Sequence, residues 1–186
     1  MIRSQARVKE INDLAYYVHC CAHRLNLALA ASCDHVTEAV SFFGLIEKLY
    51  VFITGSQPRF VIFQEVQKEL NLTKRLQKLC ETRWYCKNAA VTAIKHNYPA
   101  LLLVLERIKQ LDRSPSVVTE CQGLLSQIGR LDFILMLDNW EDLLGSTFAL
   151  SEYLQKDIFD VTQASSMINA TIQDIKNKRV DEKFKV

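Results

Sequence analysis

Apolar residues recur at helical spacing along most of the chain, so the sequence predicts a mostly α-helical fold. From Ala22 onward, Leu25, Ala28 and Leu29 mark one face of a helix, and later segments repeat this pattern. The predicted helices cover about residues 2–13, 22–32, 35–54, 58–70, 82–97, 99–111, 117–155 and 161–176.

Polar residues and glycines indicate where these helices begin and end. Asp34, Ser56 and Thr82 are candidate N-caps, and Gly55 is a candidate C-terminal stop. The composition of residues 112–116 predicts a linker. The long region that follows contains three glycines that mark candidate kinks or breaks: Gly123, Gly129 and Gly145.

Residues 16–20 are rich in β-forming side chains, which predicts a strand that runs directly into the next helix. Cys20 and His23 lie at this junction, separated by two residues, which is half of a zinc-site spacing. Cys33 and His35 are the candidates for the other half. The alternatives are a thiol and an imidazole that hydrogen-bond locally, or a Cys–His nucleophile pair.

The composition indicates a folded chain with a substantial core. At 186 residues, with 49% hydrophobic side chains, the sequence allows one domain or part of a larger one. No apolar run approaches the ~18 residues that span a bilayer, and the N-terminus lacks the apolar block of a secretory signal. We therefore expect no membrane partner.

The six cysteines show no disulfide-framework spacing. A set of reduced thiols, as in the cytosol or nucleus, is therefore the prediction. They are Cys20, Cys21, Cys33, Cys80, Cys86 and Cys121.

The net charge of +2 conceals a strong asymmetry. Residues 1–55 are neutral, 56–113 carry eleven Lys/Arg against five Asp/Glu, 114–174 carry two against nine, and 175–186 carry five against two. Two interpretations remain open. The basic segment contacts phosphates, or it pairs with the acidic segment inside the fold.

The basic segment contains the candidate nucleic-acid contacts. Lys74, Arg75 and Lys78 lie in a polar connector, and Arg83 and Trp84 follow at a predicted helix start. Arginine suits phosphate and indole suits base stacking. The alternative is a tryptophan buried in the core beside a solvated arginine.

Carboxylates at helical spacing form a second candidate site. Asp138, Glu141 and Asp142 share one predicted helix face. Such a set can bind a divalent cation, although it more often forms a solvated helix face.

Four segments resemble one family in the order expected for it. Residues 17–28 resemble the Cys-x-x-His…Leu-Asn-Leu signature of hAT-type transposases, and more closely their domesticated MYM-type zinc-finger and THAP-type relatives. Residues 79–84 resemble the Thr-Arg-Trp motif of that family, and 49–56 and 150–155 resemble further segments.

The resemblance implies an RNase H-like α/β body interrupted by a large all-helical insertion. Residues 1–20 would be a remnant of that body, namely one helix and its last strand before the insertion. Residues 21–176 would be the helical insertion domain, and 177–186 a charged flexible tail.

The resemblance also implies roles for individual residues. The Cys-x-x-His pair lies near the catalytic centre of the family without holding its metals, so Cys20, His23 and Asn26 would have a supporting role at most. The Arg-Trp pair lies near the DNA end, so Arg83 and Trp84 would contact DNA.

The family cuts and joins DNA with three carboxylates that hold two divalent metals. None of the three falls within the matching segments, so we expect no catalytic residues, no metal, no cofactor and no nuclease activity.

The basic segment and the resemblance at Arg83 and Trp84 make DNA the expected partner. The alternative is a protein partner or self-association, as in a vestigial interaction scaffold. A small-molecule substrate is not expected. The expected location is the nucleus, or the cytoplasm for a truncated product.

Overall fold

The computed structural model describes residues 7–8, 10–12, 14, 20–80, 84–156, 158 and 160–179. Within these ranges the regular structure is helical and contains no strand, which confirms the predicted mostly α class. The helices are α1 (Cys21–Asp34), α2 (Thr37–Thr54), α3 (Gln57–Glu69), α4 (Trp84–His96), α5 (Tyr98–Leu111), α6 (Pro115–Ile128), α7 (Leu131–Leu154) and α8 (Val161–Lys178).

The structure describes only parts of the predicted N-terminal helix, strand and C-terminal tail. The strand predicted at 16–20 is not seen, because Cys20 has no regular structure and 16–19 lie outside the described ranges. Residues 7, 8, 10 and 11 of the predicted first helix are helical. Helix α8 continues to Lys178, two residues into the predicted tail 177–186, and residues 180–186 of that tail lie outside the description.

One glycine, not three, interrupts the long helical region. Gly129 is the C-cap of α6, and α7 begins two residues later. Gly123 and Gly145 lie inside helices, so the breaks predicted there are wrong. Interior glycines cost only about 1 kcal/mol each, and the packing of the two helices outweighs that cost.

The predicted caps are only partly correct. Asp34 is the last residue of α1, and Val36 occupies the N-cap of α2 without a side-chain cap bond. Ser56 is at the N-cap of α3, but its side chain makes no cap bond. Gly55 ends α2 with a φ of −73°, and a Cβ there would lie 2.6 Å from the Val51 carbonyl oxygen. Close approach, rather than a left-handed conformation, therefore favours glycine at this position.

The main core contains buried side chains from α2 to α7 and the end of α1. Helix α2 contributes most of its length to this core, α4 packs along α7, and α5 packs between α3 and α6. No single helix of the described chain is long and apolar enough to span a bilayer; α2 and α3 meet that test only as a pair, bent by 100°.

A second, smaller core joins the start of α1, the end of α7 and α8. Ala22, Leu150, Leu154 and Ala164 are buried in it, and Met167 packs against it. The residues that follow the Cys20–His23 junction are therefore fixed against the C-terminal part of the chain.

Candidate nucleic-acid interface

Residues 71–80, which we name the basic connector, join α3 to α4 without regular secondary structure. Asn71 adopts a left-handed φ of 54°, which turns the chain out of α3, and asparagine tolerates this conformation better than most residues. Three leucines of the connector are half-buried and pack against the main core: Leu72, Leu76 and Leu79. The side chains of Lys74, Arg75 and Lys78 are exposed.

Two amide side chains, Asn97 and the half-buried Gln67, fix the first half of the basic connector. Asn97 is fully buried, and its Nδ2 donates to the Lys74 carbonyl oxygen at 2.8 Å and to that of Ala93 at 2.8 Å. Gln67 Nε2 donates to Asn97 Oδ1 at 2.7 Å and to the same Lys74 oxygen at 2.8 Å. The backbone at Lys74 is therefore held by two side chains, one from α3 and one from the residue between α4 and α5.

A disulfide between Cys80 and Cys86 holds the other end. It joins the last residue of the basic connector to the first turn of α4, with the two Cα atoms 5.6 Å apart. Nearby, the Leu79 N–H donates to Glu47 Oε2 at 3.3 Å. The prediction that all six cysteines are reduced is wrong for this pair, because the fold brings together two thiols whose sequence spacing gave no sign of pairing. Four cysteines are free: Cys20, Cys21, Cys33 and Cys121.

The three cations of the connector form no ion pair with a described residue. Other cations of the basic segment do have partners. Arg107 forms two hydrogen bonds of 2.8 Å with Glu69, and the guanidinium group of Arg59 lies 4.1 Å from the Phe52 ring centroid. The connector thus concentrates three positive charges within five positions, none of them paired with a described carboxylate, on a backbone that is held in place.

The acidic cluster on α7 pairs with lysines. Lys95 Nζ lies 2.5 Å from Asp138 and 2.6 Å from Glu141, and Asp142 lies 2.7 Å from Lys178. Lys95 belongs to the basic segment and pairs it with the acidic one. These contacts favour the solvated helix face over a cation site.

Lys95 has a raised pKa because its ammonium group hydrogen-bonds first to Asp138 and then to Glu141. Its stabilising contribution is therefore present below the ordinary lysine pKa and is lost as pH rises through the raised folded-state value. Because these side chains are between one-third and two-thirds exposed and water screens the ion pairs, we expect Lys95→Met to cost only about 0.5 kcal/mol. Urea unfolding of both proteins from pH 8 to pH 11 should show this difference shrinking at alkaline pH; a constant difference would contradict the assignment.

The Cys20–His23 junction does not form a metal site with Cys33 and His35. Cys20 and His23 are exposed at one end of α1, whereas Cys33 lies near the other end, roughly 20 Å away at 1.5 Å per residue. The described part of the chain contains no group of three His, Cys, Asp or Glu side chains that could hold a metal.

Asn26 is the third residue that the resemblance implies for this region. Its Oδ1 is buried and has no hydrogen-bond partner among the described residues.

The side chains of two predicted nucleic-acid contacts lie outside the described structure. Arg83 lies outside the described residues. Trp84 is the first residue of α4, but its side chain lies outside the description. Sequence reasoning found the basic connector but missed Asn97, Gln67 and the disulfide that hold it.

Over its described residues, the protein is a helical fold with a basic connector held on its exterior. No family model matches the chain, and no solved structure matches it significantly.

Proposed function

We propose that the protein binds nucleic acid through the basic connector. The observation that carries this proposal is the exposure of Lys74, Arg75 and Lys78, without ion-pair partners among the described residues, on a backbone anchored at both ends. Lysine and arginine bind phosphates by replacing counterions, which are released into solution. Because the backbone is anchored, less conformational entropy is lost when these cations are ordered on binding.

We further propose that the chain derives from the helical insertion of an hAT-type transposase-derived protein. The four motif segments support this origin, and Arg83 and Trp84 would add a phosphate contact and a stacking contact beside the connector. No catalytic role is proposed, since Asp138 and Glu141 are paired with Lys95.

The proposal is tested by removing the three cations together. At about 50 mM salt, each cation removed should weaken DNA binding about tenfold, because one fewer counterion is released. At this salt concentration the K74A/R75A/K78A variant should therefore bind a fluorescent mixed-sequence duplex about a thousandfold more weakly in anisotropy titrations.

The matched control removes the same charge from other exposed positions, in the R113A/K156A/K176A variant. It should retain most of the affinity, with the small general loss expected from a lower net charge. Equal losses in the two variants would show that total charge, and not the basic connector, drives binding.

A second candidate function is protein interaction or self-association, and an apolar groove between α1, α7 and α8 favours it. The groove has a volume of about 370 Å³ and is lined by Leu25 and Leu150 among others. Ile168 and Ile172 in its wall are 38% and 43% exposed. Sedimentation that reveals oligomers, together with absent DNA binding, would favour this second function over the first.

A further inference from the structure

We infer that the Cys80–Cys86 disulfide is a redox control on nucleic-acid binding by the basic connector. This inference rests on the proposed function, because it concerns the regulation of that same surface. The disulfide is the covalent end of the connector, and reduction would leave that end held by weaker contacts.

The two anchors of the connector differ in chemistry. Around Lys74 the anchor consists of hydrogen bonds from Asn97 and Gln67, which thiol reagents do not alter. At the other end, Cys80 is bonded to Cys86, and the nearest described hydrogen bond is the 3.3 Å contact between Leu79 and Glu47. Reduction should therefore loosen the connector at one end only.

The position of Lys78 explains why reduction of the disulfide would weaken DNA binding. Lys78 lies two residues before Cys80, so its backbone direction depends on that anchor. When the disulfide is intact, the Lys78 side chain starts from a fixed point beside α4. When the disulfide is reduced, DNA binding must also order this long side chain and its backbone, and this ordering costs free energy.

The two cysteines of the disulfide are partly open to solvent, whereas two of the free thiols are buried. Cys80 and Cys86 are half-buried. By contrast, Cys33 and Cys121 are buried thiols, and desolvation raises the pKa of each. A raised thiol pKa disfavours the reactive thiolate, so these two cysteines are poor exchange partners.

The reaction itself is thiol–disulfide exchange. A dithiol reductant attacks one sulfur of the pair as a thiolate and displaces the other, which takes up a proton. The second thiol of the reagent then attacks the mixed disulfide and releases the first cysteine. Two electrons pass to the protein, which gains two thiols, while the reagent becomes a cyclic disulfide.

Reduction should leave the helical core folded. The buried residues of the main core include neither Cys80 nor Cys86, and Leu72, Leu76 and Leu79 still pack against that core. The expected effect is thus a local loss of anchoring, visible in binding while helix content stays the same.

The test compares DNA affinity of the whole protein before and after treatment with dithiothreitol, with helix content followed by circular dichroism. We expect reduction to weaken binding of the labelled duplex about two- to tenfold, the range for ordering one long side chain. The C80S/C86S variant should bind like the reduced protein and should not respond to dithiothreitol, which excludes effects through the exposed Cys20 and Cys21. If that variant does not fold, reduction of the unaltered protein carries the test.

The outcomes separate the two proposals. Unchanged affinity on reduction, while K74A/R75A/K78A strongly weakens binding, would overturn the redox inference and leave the proposed function intact. Absence of a peptide linked through Cys80 and Cys86 in mass spectra of the oxidised protein would also overturn the inference. No binding by the oxidised protein at low salt would overturn the proposed function, and this inference with it.

Discussion

Replacing Asn97 by alanine is expected to lower the free energy of unfolding by about 2 to 3 kcal/mol and to weaken DNA binding. The substitution removes one of the two side-chain donors to the Lys74 carbonyl oxygen and the Oδ1 acceptor of Gln67 Nε2, at a site with no exposure to solvent, while Gln67 still donates to the Lys74 oxygen. Buried polar groups left without partners cost about 1 to 3 kcal/mol each. Urea unfolding measures the stability, and anisotropy measures the affinity at a temperature at which the variant remains folded.

The matched control for this prediction is Asn139→Ala. Asn139 is exposed on α7, so its loss should change stability by less than about 0.5 kcal/mol. Equal stability of the Asn97 and Asn139 variants would show that the hydrogen bonds of Asn97 do not hold the connector.

Replacing Phe63 by alanine is expected to cost about 4 kcal/mol of stability, the largest effect of any single change considered. Phe63 on α3 is 1% exposed in the main core, and its ring centroid lies 6.3 Å from that of Phe60. Truncation of a buried phenylalanine removes apolar contacts and leaves a cavity. Denaturant unfolding should show this loss, whereas Val61→Ala, on the exposed side of the same helix, should lose less than about 1 kcal/mol.

The Phe63 variant also controls for the Asn97 variant. Both lose stability, but the hydrogen bonds that hold the Lys74 backbone come from Asn97 and Gln67 and remain possible without Phe63, so the folded F63A protein should keep its DNA affinity. If F63A and N97A lose affinity to the same extent, general destabilisation would explain the loss, and the anchoring of the connector would not.

Helical periodicity predicted most elements because it is a local property. The helix predicted at 35–54 is observed at Thr37–Thr54, and that at 99–111 at Tyr98–Leu111. The same periodicity did not determine which glycine ends a helix. Gly123, Gly129 and Gly145 have similar intrinsic preferences, and tertiary packing decides among them.

The anchors of the candidate site escaped prediction because they depend on contacts between distant segments. Asn97 bonds to Lys74 across 23 residues and to Gln67 across 30. The pattern indicated only that Asn97 ends a helix. Likewise, Cys80 and Cys86 meet because the connector returns to α4, and their spacing alone does not indicate it.

The sequence located the positive charge but not its partners. Lys95 and Lys74 both belong to the basic segment, yet Lys95 is paired with α7 carboxylates, whereas Lys74 has no ion pair with a described residue. Only the packing of α4 against α7 distinguishes the two. Net charge per segment therefore overstates the number of cations that are available to a phosphate.

The most direct measurement of the central claim is the salt dependence of DNA affinity in the wild-type protein and in K74A/R75A/K78A. If the three cations contact phosphates, the plot of log K against log salt concentration should be shallower in the variant by about 2.7, at about 0.9 per contact. Because the variant binds weakly, both proteins are measured from about 10 mM salt upward, where phosphate contacts contribute most. The same slope in both proteins would contradict binding through the basic connector.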